Sequence, residues 1–151
     1  KTNSDVKLYI VGDGDMATSF KDYAKTLSSC NRIVFTGASQ NPYPIMRGAI
    51  ANILSSEFEG LPTVLIESQA LGVPMISSDC KNGPREILCD GKCGFLFDVG
   101  NAKQLSQCMH DIINKKSSLT SIIKNAKIGL ERFNATNICK DIVSIFKDLK
   151  Q

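Results

Sequence analysis

Two glutamates carry the most suggestive spacing in this chain. Glu59 and Glu67 are separated by Gly60-Leu61-Pro62-Thr63-Val64-Leu65-Ile66. Pro62 suits the first position of a helix, where its missing N–H has no helical partner to lose. Val64, Leu65, Ile66, Ala70 and Leu71 then turn towards a core, and Gly72-Val73-Pro74 stops the helix. Free amides at Thr63, Val64 and Leu65 make the mouth of such a helix an anion site, reinforced by the helix dipole. Glu67 lies one turn beyond Thr63 on the same face. A carboxylate there would repel a phosphate directly but accept hydrogen bonds from hydroxyls beside one, and a ribose diol fits that description. Glu59, in the turn below the helix, is free to meet the other end of such a ligand. Spacing alone leaves a plainer alternative open, a solvated turn glutamate and an exposed helix glutamate, since most glutamates are surface residues.

The elements that must position these residues read as alternating strands and helices. Apolar runs over 7–11, 32–35, 51–54, 75–78 and 93–97 predict five strands. Helices are expected over 16–27, with Phe20, Tyr23, Ala24 and Leu27 on one face, over 45–49, from Pro62, and over 85–88. The fold class is therefore α/β, a Rossmann-like, doubly wound parallel sheet with flanking helices. A helical C-terminal tail follows over 102–114, 119–133 and 138–149, the last with Ile142, Ile145, Phe146 and Leu149 on one face. The one linker-like break is Lys115-Lys116-Ser117-Ser118. Ligands of such sheets bind at the carboxyl ends of the strands. The turns at Gly12, Gly37, Ser56 and Ser78 all fall there, so the candidate residues are expected to converge on one rim.

Gly12-x-Gly14-x-x-Ala17 imitates a dinucleotide fingerprint but does not satisfy it. Asp13 and Asp15 would press negative charge on a pyrophosphate, and the next strand ends in Thr36-Gly37, not in the acidic residue that holds an adenosine ribose.

Composition sets the outer bounds. A chain of 151 residues, 42% hydrophobic and 22% charged, reads as one domain, residues 1–151, able to bury a real core. No apolar run approaches the ~20 residues of a membrane span, and Lys1-Thr2-Asn3-Ser4-Asp5 is no signal peptide. The missing initiator Met suggests an excised or processed segment. A net charge of +3 without a basic block argues against nucleic acid as a partner. Six cysteines in this pattern read as reduced thiols of a cytoplasmic protein, and Cys89-x3-Cys93 without a second pair is a poor zinc signal. His110 reads as a surface residue, and Asn134-Ala135-Thr136 fits a glycosylation sequon that has no meaning without secretion.

The run from Glu59 to Pro74, Glu59-Gly60-Leu61-Pro62-Thr63-Val64-Leu65-Ile66-Glu67-Ser68-Gln69-Ala70-Leu71-Gly72-Val73-Pro74, resembles the donor-site signature of family 4 retaining glycosyltransferases of the GT-B fold. Ser78-Asp79-Cys80-Lys81-Asn82-Gly83-Pro84-Arg85-Glu86-Ile87-Leu88 is similar to the family's next loop, and Ile10-Val11-Gly12-Asp13-Gly14 and Val34-Phe35-Thr36-Gly37 fall in its order. The likeness covers about residues 7 to 100, and the tail agrees only in being helical.

The resemblance implies the donor-binding, C-terminal half of a GT-B enzyme that transfers a sugar from a nucleotide-diphosphate sugar, a UDP-sugar foremost, with retention of configuration. Glu59 would face the donor sugar as the catalytic glutamate, and Glu67 would bind the ribose hydroxyls. Gly60, Leu61, Thr63 and Val64 would line the phosphate end, and Gly37 the nucleotide end. No cofactor and no metal are implied; the nucleotide sugar is the substrate. The implied partners are that donor, a glycan or glycolipid acceptor as in polysaccharide biosynthesis, and an N-terminal acceptor domain missing from this chain. A cytoplasmic location follows, with the full-length enzyme at the inner face of the membrane as a peripheral protein. The family's phosphate-gripping Arg and Lys, and a central strand of its sheet, precede the segment at Lys7, so an incomplete sheet and an inert isolated chain are expected. The rival reading is a non-catalytic nucleotide-binding module, which has no need of a sugar-facing Glu59. An epimerase or a phosphorylase fits less well, the first for want of an intact dinucleotide fingerprint, the second for want of a pyridoxal lysine environment.

Overall fold

A computed structural model describes residues 6–114 and 116–149. The chain divides into two compact units, residues 1–44 and 45–151. All five expected strands form and every pairing is parallel, but they make two sheets instead of one. Among the described residues no strand joins an edge of either sheet to the other. Local apolar runs reveal strands; pairing is a non-local property that they do not encode.

In the first unit β1 (Leu8–Val11) pairs with β2 (Ile33–Gly37), Leu8 opposite Ile33 and Ile10 opposite Phe35. The register slips after Ile10, so Val11 meets Gly37, and the Gly12 amide donates to the Gly37 carbonyl at 2.9 Å. The crossover helix α1 (Ala17–Lys25) is shorter than expected, and only Ala24 of its expected face is buried. Phe20 and Tyr23 are 58% and 64% exposed. Two strands give such aromatics too narrow a floor to cover.

The second unit holds the larger core. Helix α2 (Tyr43–Gly48) leads to β3 (Asn52–Leu54), followed by α3 (Thr63–Ala70), β4 (Met75–Ser78), α4 (Pro84–Ile87) and β5 (Phe95–Phe97). The strand order is β3-β4-β5, so β4 is central, and all four of its residues are buried. Its side chains alternate between the two faces of the sheet. Met75 packs with Leu65, Ile87 and Leu88 under α3 and α4, joined by Leu54 and Leu96. On the other face Ile76 packs with Phe97 and with Ile112 of α5 (Ala102–Asn114), joined by Ile53 and Phe95. Register explains this sorting, because Ile53, Ile76 and Phe95 lie side by side.

The tail continues through α6 (Lys116–Gly129), a 3-10 turn at Leu130–Phe133 and α7 (Ala135–Asp148). The expected break at Lys115–Ser118 is thus largely helix, and Lys115 lies outside the described residues. Asn134 of the sequon serves as N-cap of α7, its side chain accepting from the Thr136 amide at 2.9 Å. Periodicity placed Ile142, Ile145, Phe146 and Leu149 on one face of α7, yet all four are exposed. No helix among the described residues is long and apolar enough to cross a membrane.

Candidate functional site

The site is built on the carboxyl ends of β3 and β4. Beyond Leu54 the chain turns through Ser55 and Ser56, and the Ser56 hydroxyl donates to Glu59 Oε1 at 2.7 Å. The Ser78 hydroxyl, at the end of β4 and 1% exposed, donates to the Ser56 carbonyl at 2.6 Å. The turn is thereby tied to the central strand, and Glu59 is tied to the turn. Glu59 is half-buried with one oxygen occupied, not free as its turn position suggested.

Helix α3 starts one residue later than expected. Pro62 is its cap, in extended backbone (φ −72°, ψ 90°), and Thr63 is the first helical residue. The Leu65 amide closes on the Pro62 carbonyl at 3.0 Å and is lost as a donor to any ligand. That leaves the amides of Thr63 and Val64, which meet no acceptor among the described residues. Glu67 is half-buried, and its carboxylate makes no hydrogen bond among the described residues. Gly60 and Leu61 are exposed in the approach to the helix.

The far end of α3 is anchored firmly. Gly72 takes a left-handed φ of +73° and its amide donates to the Gln69 carbonyl, while the Val73 amide donates to Ser68, each at 3.0 Å. This is a Schellman closure, as the Gly72-Val73-Pro74 stop implied. Asn52 of β3 donates to the Ser68 hydroxyl at 2.7 Å, which fixes the helix to the sheet.

The loop after β4 presses on the mouth of α3. Asn82 and Gly83 both have positive φ, and a Cβ on Gly83 would lie 2.4 Å from Pro62 Cδ and 3.0 Å from the Gly60 carbonyl oxygen. At the same rim Arg85 pairs with Asp79 and lies 3.7 Å from Asp90. The hydrogen bond to Asp79, then the charge of that carboxylate, raises the guanidinium pKa further. The sequence marks Ser56 and Ser78 as turns at strand ends and places Arg85 in the following loop, but it assigns none of them a contact. A serine ending a strand and another opening the turn before the glutamate was the available signal.

The structure therefore gathers Glu59, Gly60, Leu61, Thr63, Val64 and Glu67 in one loop-and-helix segment of the second unit. Gly37 belongs to the first unit, at the end of β2 with a φ of +72°. Within the first unit Gly12 meets Gly37, and within the second Ser78 meets Ser56. Asp13-Gly14-Asp15 has the Asp-x-Asp spacing of metal-dependent transferases, so the metal-independent expectation rests on the resemblance alone. Asp13 Oδ1 accepts from the Gly14 amide at 2.9 Å, and no group of three or more His, Cys, Asp or Glu among the described residues could hold a metal ion. A cavity of about 640 Å³ along α7 and one of about 320 Å³ beside Asp79, Arg85 and Phe97 include neither glutamate. The arrangement at α3 offers two hydrogen-bond donors to an anion, with one carboxylate on each side of them in sequence.

Comparison with known proteins decides the family. Residues 1–128 match the family described as Glycosyl transferases group 1. This chain belongs to that family. Among relatives of this glycosyltransferase-family chain, an uncharacterized glycosyltransferase of Methanocaldococcus jannaschii is 40% identical over 83 residues, 55% of this chain and 20% of the relative. The lipopolysaccharide 1,6-galactosyltransferase of Salmonella typhimurium is 34% identical over 104 residues, 66% of this chain and 29% of the relative. The chain thus spans less than a third of the length of either. Anabaena HepE, solved in complex with UDP-glucose, superposes with a TM-score of 0.83 at 23% identity, covering 95% of this chain and 41% of that one. The lipopolysaccharide outer core galactosyltransferase WaaB, in its apo form, gives 0.81 at 26% identity, covering 96% and 43%. The fold is that of GT-B glycosyltransferases.

Proposed function

We propose that this chain is the donor-binding part of a retaining glycosyltransferase that takes its sugar from a UDP-sugar and delivers it to a glycan or glycolipid acceptor. The observation that carries this reading is the mouth of α3, where the Thr63 and Val64 amides meet no acceptor among the described residues, with Glu59 and Glu67 on either side of them in sequence. Those two amides hold a phosphate of the donor, helped by the positive end of the helix. Glu67, half-buried and unbonded among the described residues, takes the ribose hydroxyls. Glu59 takes the hexose. As the glycosidic bond breaks, charge grows on the departing diphosphate, and donors already aimed at it stabilise that charge without reorganising. Relatives add support by their names, a galactosyltransferase among them, and HepE was solved with UDP-glucose.

The test is calorimetry of two variants of the full-length enzyme with two ligands. Glu67→Gln is expected to weaken UDP and its sugar conjugate alike. The loss of a charge-assisted bond to the diol costs about 1.5–3 kcal/mol, roughly ten- to a hundredfold in affinity. Glu59→Gln is expected to spare UDP and to weaken chiefly sugar-dependent binding or turnover. Wild-type binding of both ligands by Glu67→Gln would refute the ribose assignment. Equal weakening of UDP and conjugate by Glu59→Gln would show that the two ends were assigned wrongly.

A further inference from the structure

Resting on that reading of Glu59, we infer that Ser56 is a positioning residue, which fixes the Glu59 carboxylate so that only its second oxygen faces the donor sugar. The Ser56 hydroxyl donates to Glu59 Oε1 at 2.7 Å, a short contact in the range of charge-assisted bonds. A serine in a turn is free to rotate and to drift with its loop, but this one is held from behind. Its carbonyl accepts the Ser78 hydroxyl at 2.6 Å, and Ser78 lies on the central strand, 1% exposed. Asp79, the next residue, closes its amide on the Phe97 carbonyl at 2.8 Å, so the strand end that carries Ser78 is itself fixed by β5. Order therefore passes from the three-stranded sheet through Ser78 and the Ser56 backbone to one oxygen of Glu59. A glutamate side chain has three rotatable bonds and considerable rotamer entropy, which binding would otherwise have to overcome. Pre-orientation removes part of that cost only for the ligand end that Glu59 meets.

A double-mutant cycle on the full-length enzyme separates this role from a local packing role. Its readout is the ratio of affinity for UDP-glucose and UDP-galactose to affinity for UDP, together with kcat for the better of the two sugars. Ser56→Ala is expected to lower the ratio or kcat about tenfold, in proportion to one charge-assisted bond, with UDP affinity unchanged. Ser56→Thr, which keeps the hydroxyl, is expected to restore most of the loss. In a Glu59→Gln background Ser56→Ala is expected to cost little more, because the two residues act as one unit. If Glu59→Gln impairs sugar-dependent binding or turnover while Ser56→Ala does not, or if Ser56→Ala costs the same in both backgrounds, the positioning role is refuted and the reading of Glu59 stands. If Glu59→Gln changes nothing, the reading of Glu59 fails, and the role of Ser56 fails with it.

Discussion

Replacing Gly83 by alanine strikes the contact between the two loops that form the site. The added Cβ would lie 2.4 Å from Pro62 Cδ and 3.0 Å from the Gly60 carbonyl oxygen, on a backbone with φ of +89°. Pro62 is buried and caps α3, so neither partner can swing aside as the tip of a flexible side chain would. Strain of an L-residue in that conformation costs about 1–3 kcal/mol. Forcing a methyl into a filled space costs about another 1–3 kcal/mol. The stiffer unfolded chain offsets about 0.4–1 kcal/mol, leaving a net loss of about 1–5.6 kcal/mol. With a urea dependence of about 2 kcal/mol per molar, the unfolding midpoint should fall by about 0.5–3 M. Two other glycines separate the contributions. Gly100 has a φ of +76° with open space around it, so its alanine variant reports strain alone. Gly94 lacks the positive φ, but a Cβ there would lie 2.8 Å from Leu88 Cδ2 and 3.0 Å from the Met75 carbonyl oxygen, so its variant reports crowding alone. Gly83→Ala should be less stable than either, and it should weaken UDP binding by displacing the Thr63 and Val64 amides. Stability within about 0.5 kcal/mol of Gly100→Ala would refute the close approach of the two loops.

Two further outcomes follow from the core of the second unit. Leu65 is fully buried against Met75, Ile87 and Leu88, so Leu65→Ala should cost about 2–5 kcal/mol in urea unfolding, and a loss below about 1 kcal/mol would contradict that packing. Burial, then the hydrogen bond and charge of Cys89, pushes the Cys93 thiol from 9.0 up to about 11. Between these values the unfolded chain has released a proton that the folded chain keeps, so this contribution is intact below pH 9, falls as pH rises and is gone above about pH 11. Unfolding midpoints from pH 8 to 11 should therefore decline less steeply for Cys93→Ala than for the wild type, and parallel curves would refute the assignment.

Strand positions, the α3 stop and the family signature were legible because each depends on neighbours in sequence. Lys7-Leu8-Tyr9-Ile10-Val11 announces a strand by its apolar run, and Gly72 announces a helix end because only glycine readily takes its φ of +73°. Boundaries were less legible, since the chain resolves Pro62 as cap or first residue by the hydrogen bond that the Leu65 amide makes. Periodicity told which residues of α1 and α7 share a face, but not whether anything covers that face. Phe20 and Phe146 each share an apolar face with their helical neighbours and are exposed all the same.

The state of Glu59 illustrates why a site is harder to read than its elements. Its type and its spacing from Glu67 are fixed in sequence, and they are compatible with hydroxyls held beside a phosphate; the sugar nucleotide comes from the resemblance of the whole run from Glu59 to Pro74. The freedom of Glu59 is not fixed there, because the Ser56 bond depends on the turn between them, and that turn depends on a serine 22 residues further on. Ser78 reaches Ser56 only because β3 and β4 are adjacent and parallel, with Leu54 opposite Ser77, which brings the two strand ends level. A one-residue slip of that register would move Ser78 to the opposite face and release the turn. The sheet register thus governs how many oxygens Glu59 can offer a ligand, a dependence no local motif contains.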